Sequence, residues 1–435
     1  MDSVTAYLGE AGSGLLRLLA QPLLYVSVLL LLLPYWRQTR LERRMFAVRL
    51  KAWPGLLARA ALAGLAGGLA VSLVALLLGV RLTADTVYWV WGAALALSLF
   101  RIHYLCVAYA VGLLGVLQWM AGRFGLEGGG GPSWAVRAAD SLAALDIPGL
   151  LLLAALLHAA EAVLLRRQGG RQASPLYAPG KRGRLVGAYR LQGMWPVPLL
   201  LLTPAEAGGS SAALPWTPLL WPDGGAPGWT FAALPVVVAF SAVTRTMLPA
   251  AKARLASGRL LIYAGVLGIV AAGAAWWHPL TPVAALCAPL LHEALVVLDR
   301  RREAEGSPYY VHDDRGLRVL AVVPGSPADE LGIEPGEILY KVNGVRTRSR
   351  EELYEALHVN AAFTKLEVLN HEGQSKFAQR ARYEGEHHQL GVVLAPDESA
   401  LYYAEDRPAS LPELVFRRRE ARRVKEAAPA ERDAT

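Results

Sequence analysis

His292 and Glu293 stand side by side in "LLHEALVVLDRR" (Leu290–Arg301), an apolar run that ends in arginines. On a helix such a pair is half of a zinc site. A second His four residues on would complete the grip on the metal, and the Glu would serve as general base toward a bound water. Val296 holds that fourth place, so the ligand set is incomplete. The chemistry recurs in "LLHAAEAVLLRR" (Leu156–Arg167), which carries His158 and Glu161 and has Ala162 at the corresponding place. The two stretches agree at eight of twelve positions without a gap. Ionisable groups inside apolar helices are costly and mark function by default. At three residues' spacing, however, His158 and Glu161 can neutralise each other on one helix face. They read as an intramembrane polar pair, with transport as the alternative.

Other reactive patterns are missing. "GSG" at Gly12–Gly14 and "GGSSAA" at Gly208–Ala213 lack the surroundings of a serine nucleophile, and "GGGG" at Gly128–Gly131 has no Lys-Ser/Thr after it to cradle phosphate. Two cysteines, Cys106 and Cys287, each lie in an apolar run, which excludes a disulfide framework or a Cys-rich zinc site. The chain is expected to have no catalytic residues, no metal and no cofactor.

The elements that would position these residues follow from composition. The 435 residues are 54% hydrophobic yet carry a net charge of +8. Apolar runs fill the chain to about Leu298, and ordinary soluble composition follows from Asp299. The expected fold is an all-α multi-pass membrane domain over 1–298, a linker over 299–306, a soluble α+β module over 307–396 and a charged tail over 397–435. Helices are predicted near 17–36, 54–80, 87–100, 103–121, 148–165, 194–203, 229–248, 260–277 and 279–298. That makes seven to nine passes, since about 20 apolar residues span a bilayer and some runs are shorter. The first run reads as a retained signal-anchor. "AGLAGGLA" (Ala63–Ala70) offers a Gly-rich face for close helix contact.

Positive charge is confined to particular loops. Arg37–Lys51 carries six Lys/Arg; 166–193 is a basic loop whose Arg166–Arg190 stretch has seven and no acid; Thr203–Gly228 has none. The positive-inside rule places the basic loops and the C-terminal module in the cytoplasm and the N-terminus outside. Nucleic acid is not an expected partner. "FRRREARRVK" (Phe416–Lys425) is a basic stretch whose Arg417–Lys425 face can touch anionic lipid or an acidic partner, or can simply be solvated.

The C-terminal module is the most specific signal. "LRVLAVV" reads as a buried strand followed by the turn Pro324-Gly325. Ser326 reads as a helix N-cap with Pro327 at the first helical position and Asp329 three residues on. Gly332 and Gly336 punctuate turns, "EILYKV" is a second strand, and Asn343-Gly344 is a hairpin turn. Ser349 caps an amphipathic helix whose Leu353, Ala356 and Leu357 form an apolar stripe.

This pattern resembles the PDZ domain from Ser307 to Pro396, with Glu337 where the family usually has Asp. The resemblance implies capture of an extended peptide by strand addition beside a groove helix. "HHQLGVVL" (His387–Leu394) matches the groove-lining loop, placed late as in a permuted strand order. The candidate groove is Leu390, Gly391, Val392 and Val393 opposite Leu353 and Leu357, unless this segment is only the last core strand. "PYYV" (Pro308–Val311) is the other candidate edge.

The internal echo extends past the paired stretches. Pro148 and Pro282 each lie ten residues before their His, and "SPLYAPGKRGRLVGA" (Ser174–Ala188) parallels "SPYYVHDDRGLRVLA" (Ser307–Ala321). We read a partial duplication in which an exit helix, an Arg-Arg stop and a hairpin-like start are used twice. The chain as a whole, with "QPLLYVSVLLLLLPYWRQTRLERRMFAVRL" near its start and one C-terminal PDZ module, resembles the MinJ division-site topological determinants. That resemblance implies a membrane adaptor at septum and poles linking DivIVA-like and MinD-like partners. The competing expectation is a membrane-associated protease or protease regulator with a PDZ substrate-binding module.

Overall fold

The computed structural model describes residues 2–48, 50–125, 132–204, 216–218, 220, 229–360, 362–381, 390–398, 400–404, 410, 412–413 and 422–423. Of the basic stretch Arg417–Lys425, only 422–423 fall within them, and His387–Gln389 fall outside.

The first part is built from α1 (Asp2–Ala20), α2 (Pro22–Phe46), α3 (Trp53–Leu78), α4 (Ala84–Ser98), α5 (Val107–Arg123), α6 (Ser133–Ala143) and α7 (Ile147–Leu164). A π-helical turn over Leu165–Gly169 and a last turn, α8 (Gly170–Gln172), lengthen α7. Local chemistry sets several starts. Thr83 and Thr86 form a reciprocal cap before α4, and Asp146 accepts from the Gly149 N–H at the start of α7. Later come α9 (Pro249–Trp276) and α10 (Thr281–Glu305). Among the described residues four helices are long and apolar enough to cross a membrane: 53–78, 147–172, 249–276 and 278–305. A fifth arises if Gly12–Ala20 and Pro22–Phe46, bent by 62°, count as one. At 15 and 17 residues, α4 and α5 rise about 22 and 26 Å, short of a hydrocarbon core of about 30 Å.

Two of the predicted helices are strands. Residues 194–203 and 229–248 were expected to be helical, but β2 (Leu185–Pro204) and β3 (Trp229–Thr244) form a long antiparallel hairpin, with β1 (Ser174–Pro179) pairing the start of β2. The reason is local. Pro196 and Pro198, two apart, would break a helix twice, and Val236–Val238 are β-branched. Backbone outside helices survives at membrane depth only where protein satisfies it. On the β2 edge Pro196 and Pro198 have no N–H to satisfy, Leu200 N–H donates to Ser72 Oγ at 3.0 Å, and Leu82 N–H donates to Leu202 O at 2.9 Å. On the β3 edge Gln21 Nε2 donates to Ala233 O (2.8 Å) and Trp91 Nε1 to Pro235 O (2.9 Å).

Two glycines of the Gly-rich face of α3 meet this strand, while Gly67 between them faces Leu164 of α7. A Cβ at Gly64 would strike the Pro196 carbonyl, and one at Gly68 the Pro198 carbonyl. The spacings agree: four helical residues rise about 6.0 Å and two strand residues about 6.7 Å, so each glycine finds a proline carbonyl.

The second part contains β4 (Leu317–Val322), α11 (Pro327–Glu330), β5 (Ile338–Val342), β6 (Val345–Arg346), α12 (Arg350–His358), β7 (Phe363–Leu369), β8 (Ser375–Ala381) and β9 (Val392–Leu394). The sheet runs β8-β7-β5-β4-β9, with β6 paired to β5. Ser326 Oγ accepts from Asp329 N–H, and Ser349 with Glu352 forms a reciprocal cap on α12. Asn343 (φ 50°) and Gly344 (φ 82°) make the two-residue turn of the β5–β6 hairpin, which requires both in the left-handed region. Asp299–Glu305, expected as a linker, is instead the last two turns of α10.

Candidate functional site

Groove-forming chemistry gathers around β9, the outer strand beside β4. Alternation along this strand sorts its side chains. Leu390, Val392 and Leu394 pack with Leu353 and Leu357 of α12, whereas Val393 points the other way, toward Tyr310, Leu320 and Ala321. Val393 is therefore removed from the expected groove, because a strand cannot present two successive residues to one face. Gly391 shapes the turn into β9: its φ is +81°, and a Cβ would collide with Ser326. Only glycine satisfies both conditions.

Backbone polarity is sorted the same way. Val323 N–H donates to Gly391 O (2.8 Å) and Ala395 N–H to Arg318 O (2.9 Å), so residues 391 and 395 bond toward β4. Val392 and Leu394 occupy the alternating places whose N–H and C=O face the outer edge. There Leu394 O accepts from Tyr177 Oη of β1 at 3.0 Å. The outward backbone of Val392 is thus the position a pairing strand would meet.

The module is seated on the first part. Gly187 N–H donates to Tyr310 O at 2.9 Å, Tyr189 Oη donates to Leu320 O, and Tyr309 N–H donates to Arg245 O at 2.7 Å. Tyr310, which has no measurable exposure, spends the Pro308–Val311 segment on this junction, so that second candidate edge is closed. Both halves of the sequence echo lead into strands, β2 at Leu185 and β4 at Leu317, and their Tyr177 and Tyr310 both lie beside Gly187. The basic segments converge at this end. Lys51 Nζ donates to the carbonyls of Arg171 (2.5 Å) and Ala173 (2.7 Å), and burial pushes its ammonium down to about 8. Lys252 Nζ lies 2.7 Å from Asp299 and 2.8 Å from Glu303.

A second constellation sits inside the helices. His158 and Glu161 are both buried on α7, yet they do not form the expected pair. His158 Nδ1 is 2.7 Å from Ala154 O and its Nε2 is 3.2 Å from Cys106 Sγ, which leaves no ring nitrogen for Glu161. His292 Nδ1 is 3.1 Å from Tyr109 Oη, which donates to Glu293 Oε2 at 2.8 Å and lies 2.6 Å from His103 Nε2. The His158 and His292 rings are 5.2 Å apart, and Tyr263 packs edge-on to both. One ligand atom each from Cys106, His158 and His292 falls within 4.8 Å of the others. Spacing along a single helix could not reveal this set, because its three members come from the start of α5, from α7 and from α10. The only hint was that the echo placed one His in each of two matched helices.

Comparison with known proteins agrees with the geometry. A PDZ domain family model matches residues 318–369. The chain is 32% identical over 252 residues to the cell division topological determinant MinJ of Bacillus subtilis (strain 168), covering 58% of this chain and 62% of that protein. It is 28% identical over 279 residues to the probable cell division topological determinant MinJ of Lacticaseibacillus paracasei, covering 61% and 71%. A protein of the same name from Lacticaseibacillus casei (strain BD-II) matches to the same extent. The matched region thus spans less than two thirds of the Bacillus relative. The chain is similar to these MinJ proteins over the matched region and carries a PDZ domain near its C-terminus.

Proposed function

We propose that this chain is a membrane-anchored adaptor of cell division whose PDZ module takes a partner's extended segment along β9, with binding and not bond-breaking as its output. The observation that carries the reading is the outward-facing Val392 backbone beside the apolar α12 face, on a module locked to membrane helices. By likeness to MinJ, we assign the role of joining a DivIVA-like protein to a MinD-like protein at septum and poles. The module lies on the cytoplasmic side. Supporting this, Lys51, Arg171 and Lys252 gather at the end of the helices that carries it, as the positive-inside rule requires. Confinement to the membrane raises the module's effective concentration toward membrane-bound partners.

The test uses the full chain in nanodiscs, titrated with purified DivIVA-like and MinD-like proteins of the same organism. Val392 is half-buried against Leu353 and Leu357, so in Val392→Lys the apolar stem can cover that surface while the ammonium sits at the strand-addition position. Affinity for at least one partner is expected to fall tenfold or more, with thermal stability close to the parent. Binding unchanged by Val392→Lys, or no binding to either partner by the parent, refutes the reading.

A further inference from the structure

We propose that Cys106, His158 and His292 form a zinc site that ties three helical segments together in the interior of the membrane part. Their ligand atoms lie within 4.8 Å of one another, with Cys106 Sγ already 3.2 Å from His158 Nε2. A tetrahedral ion with bonds of about 2.0–2.3 Å holds its ligands about 3.3–3.8 Å apart, so binding draws the remaining pairs in by up to about 1 Å. A Cys-His-His set suits zinc, which takes thiolate and imidazole together and imposes no geometry of its own.

The surroundings prepare both imidazoles. The Ala154 carbonyl can only accept, so His158 carries its proton on Nδ1 and turns a lone pair on Nε2 toward Cys106. Tyr109 uses its single hydroxyl proton on Glu293, so it accepts from His292 Nδ1 and leaves that ring's other nitrogen as a lone pair. Histidine ligands to zinc characteristically donate their second N–H to a carbonyl or into a carboxylate-bearing network, which fixes the tautomer. Here one His does the first and the other does the second.

Two carboxyl groups flank the ligands: Glu161, 6% exposed and one turn from His158, and Glu293, which accepts from the Tyr109 that bonds to His292. Three protein ligands leave the fourth tetrahedral position to a water, and the ion cross-links the start of α5, α7 and α10, two of which carry the echoed His.

The experiment measures metal in the full chain, purified in nanodiscs from cells grown with zinc. About one zinc per chain is expected. Exchange for cobalt(II) is expected to give the near-ultraviolet absorption of a thiolate–cobalt bond. That band should vanish in Cys106→Ala, weaken in His292→Asn and persist in Cys287→Ala. The parent protein alone decides the matter should a variant misfold: less than about a tenth of a zinc per chain, or cobalt bound without the thiolate band, overturns the site. A band that survives Cys106→Ala overturns it equally.

Discussion

Replacing Lys252 tests whether the exit of α10 is clamped electrostatically. The Lys252 side chain is 1% exposed, and its ammonium lies 2.7 Å from Asp299 and 2.8 Å from Glu303, whose side chains are 24% and 12% exposed. Lys252→Met keeps most of the stem's volume and removes the charge. Glu303 then keeps the Arg245 N–H (3.0 Å) and the Thr246 hydroxyl (3.2 Å), and Asp299 leans on Arg259 at 3.5 Å. Breaking a buried ion pair costs about 3–5 kcal/mol, and the residual exposure of Asp299 with its Arg259 neighbour brings the figure to about 3 kcal/mol. At about 1–2 °C per kcal/mol for a cooperative unit of this size, the melting temperature falls by roughly 3–6 °C. The assay is thermal unfolding in nanodiscs, followed by reaction of the two cysteines with a thiol dye. Adding Glu303→Gln removes the stranded charge, so the double variant is expected to recover at least half the loss. A single variant that melts with the parent, or a double variant no better than the single, refutes the clamp.

Two further outcomes follow from geometry and burial. Gly64→Ala places a methyl on the Pro196 carbonyl and should cost about 1–3 kcal/mol as α3 is pushed off β2. Gly265→Ala, with nothing within 4 Å, should be neutral or stabilising by up to about 1 kcal/mol; equal melting of the two variants would sink the packing account. His312 accepts from Arg318 N–H through Nδ1 at 3.1 Å, and burial holds its protonation below the usual range near 6.5. The unfolded chain then binds the proton more readily, so His312 contributes fully above about pH 6.5 and destabilises progressively as pH falls toward its lowered value. Hydrogen exchange at the Arg318 amide should accelerate between pH 7 and 5 after correction for intrinsic rates, and His312→Gln should flatten that dependence.

The sequence spoke clearly where chemistry is local. Ser326, Ser349 and Asn343-Gly344 announce caps and a turn within four residues, and the structure places a cap or turn at each. It misled where hydrophobicity stood in for conformation. "MWPVPLLLLTP" and "LPVVVAFSAV" have the apolar content of a membrane helix, but their prolines and β-branched residues belong to strands whose edges other segments cover. That cover comes from Ser72, Gln21 and Trp91, which lie more than a hundred residues away, so no local window could supply it. The same distance hid the Cys106–His158–His292 cluster. His158 and Glu161 looked like partners because they are neighbours on one helix, yet the atoms that reach His158 come from Ala154 and from another segment altogether.

The continuity of α10 changes what the module can do. Eight flexible linker residues would let it wander over about 16 Å, by the square-root scaling of a random chain. A helix that runs to Glu305, held by Lys252 and followed at once by Tyr309 and Tyr310 bonded to Arg245 and Gly187, removes that freedom. The β9 edge then points in one fixed direction from the membrane part. Tyr177, on the sheet that the helices hold, reaches the Leu394 carbonyl at the far end of that edge. A partner strand pairing at Val392 and extending toward Leu394 must meet Tyr177, so its binding reports the position of β1 and, through β2, of α3. Module and helices are in that sense one body: the β9 edge is completed by a residue of the first part, and the module cut away at residue 307 would present a different edge.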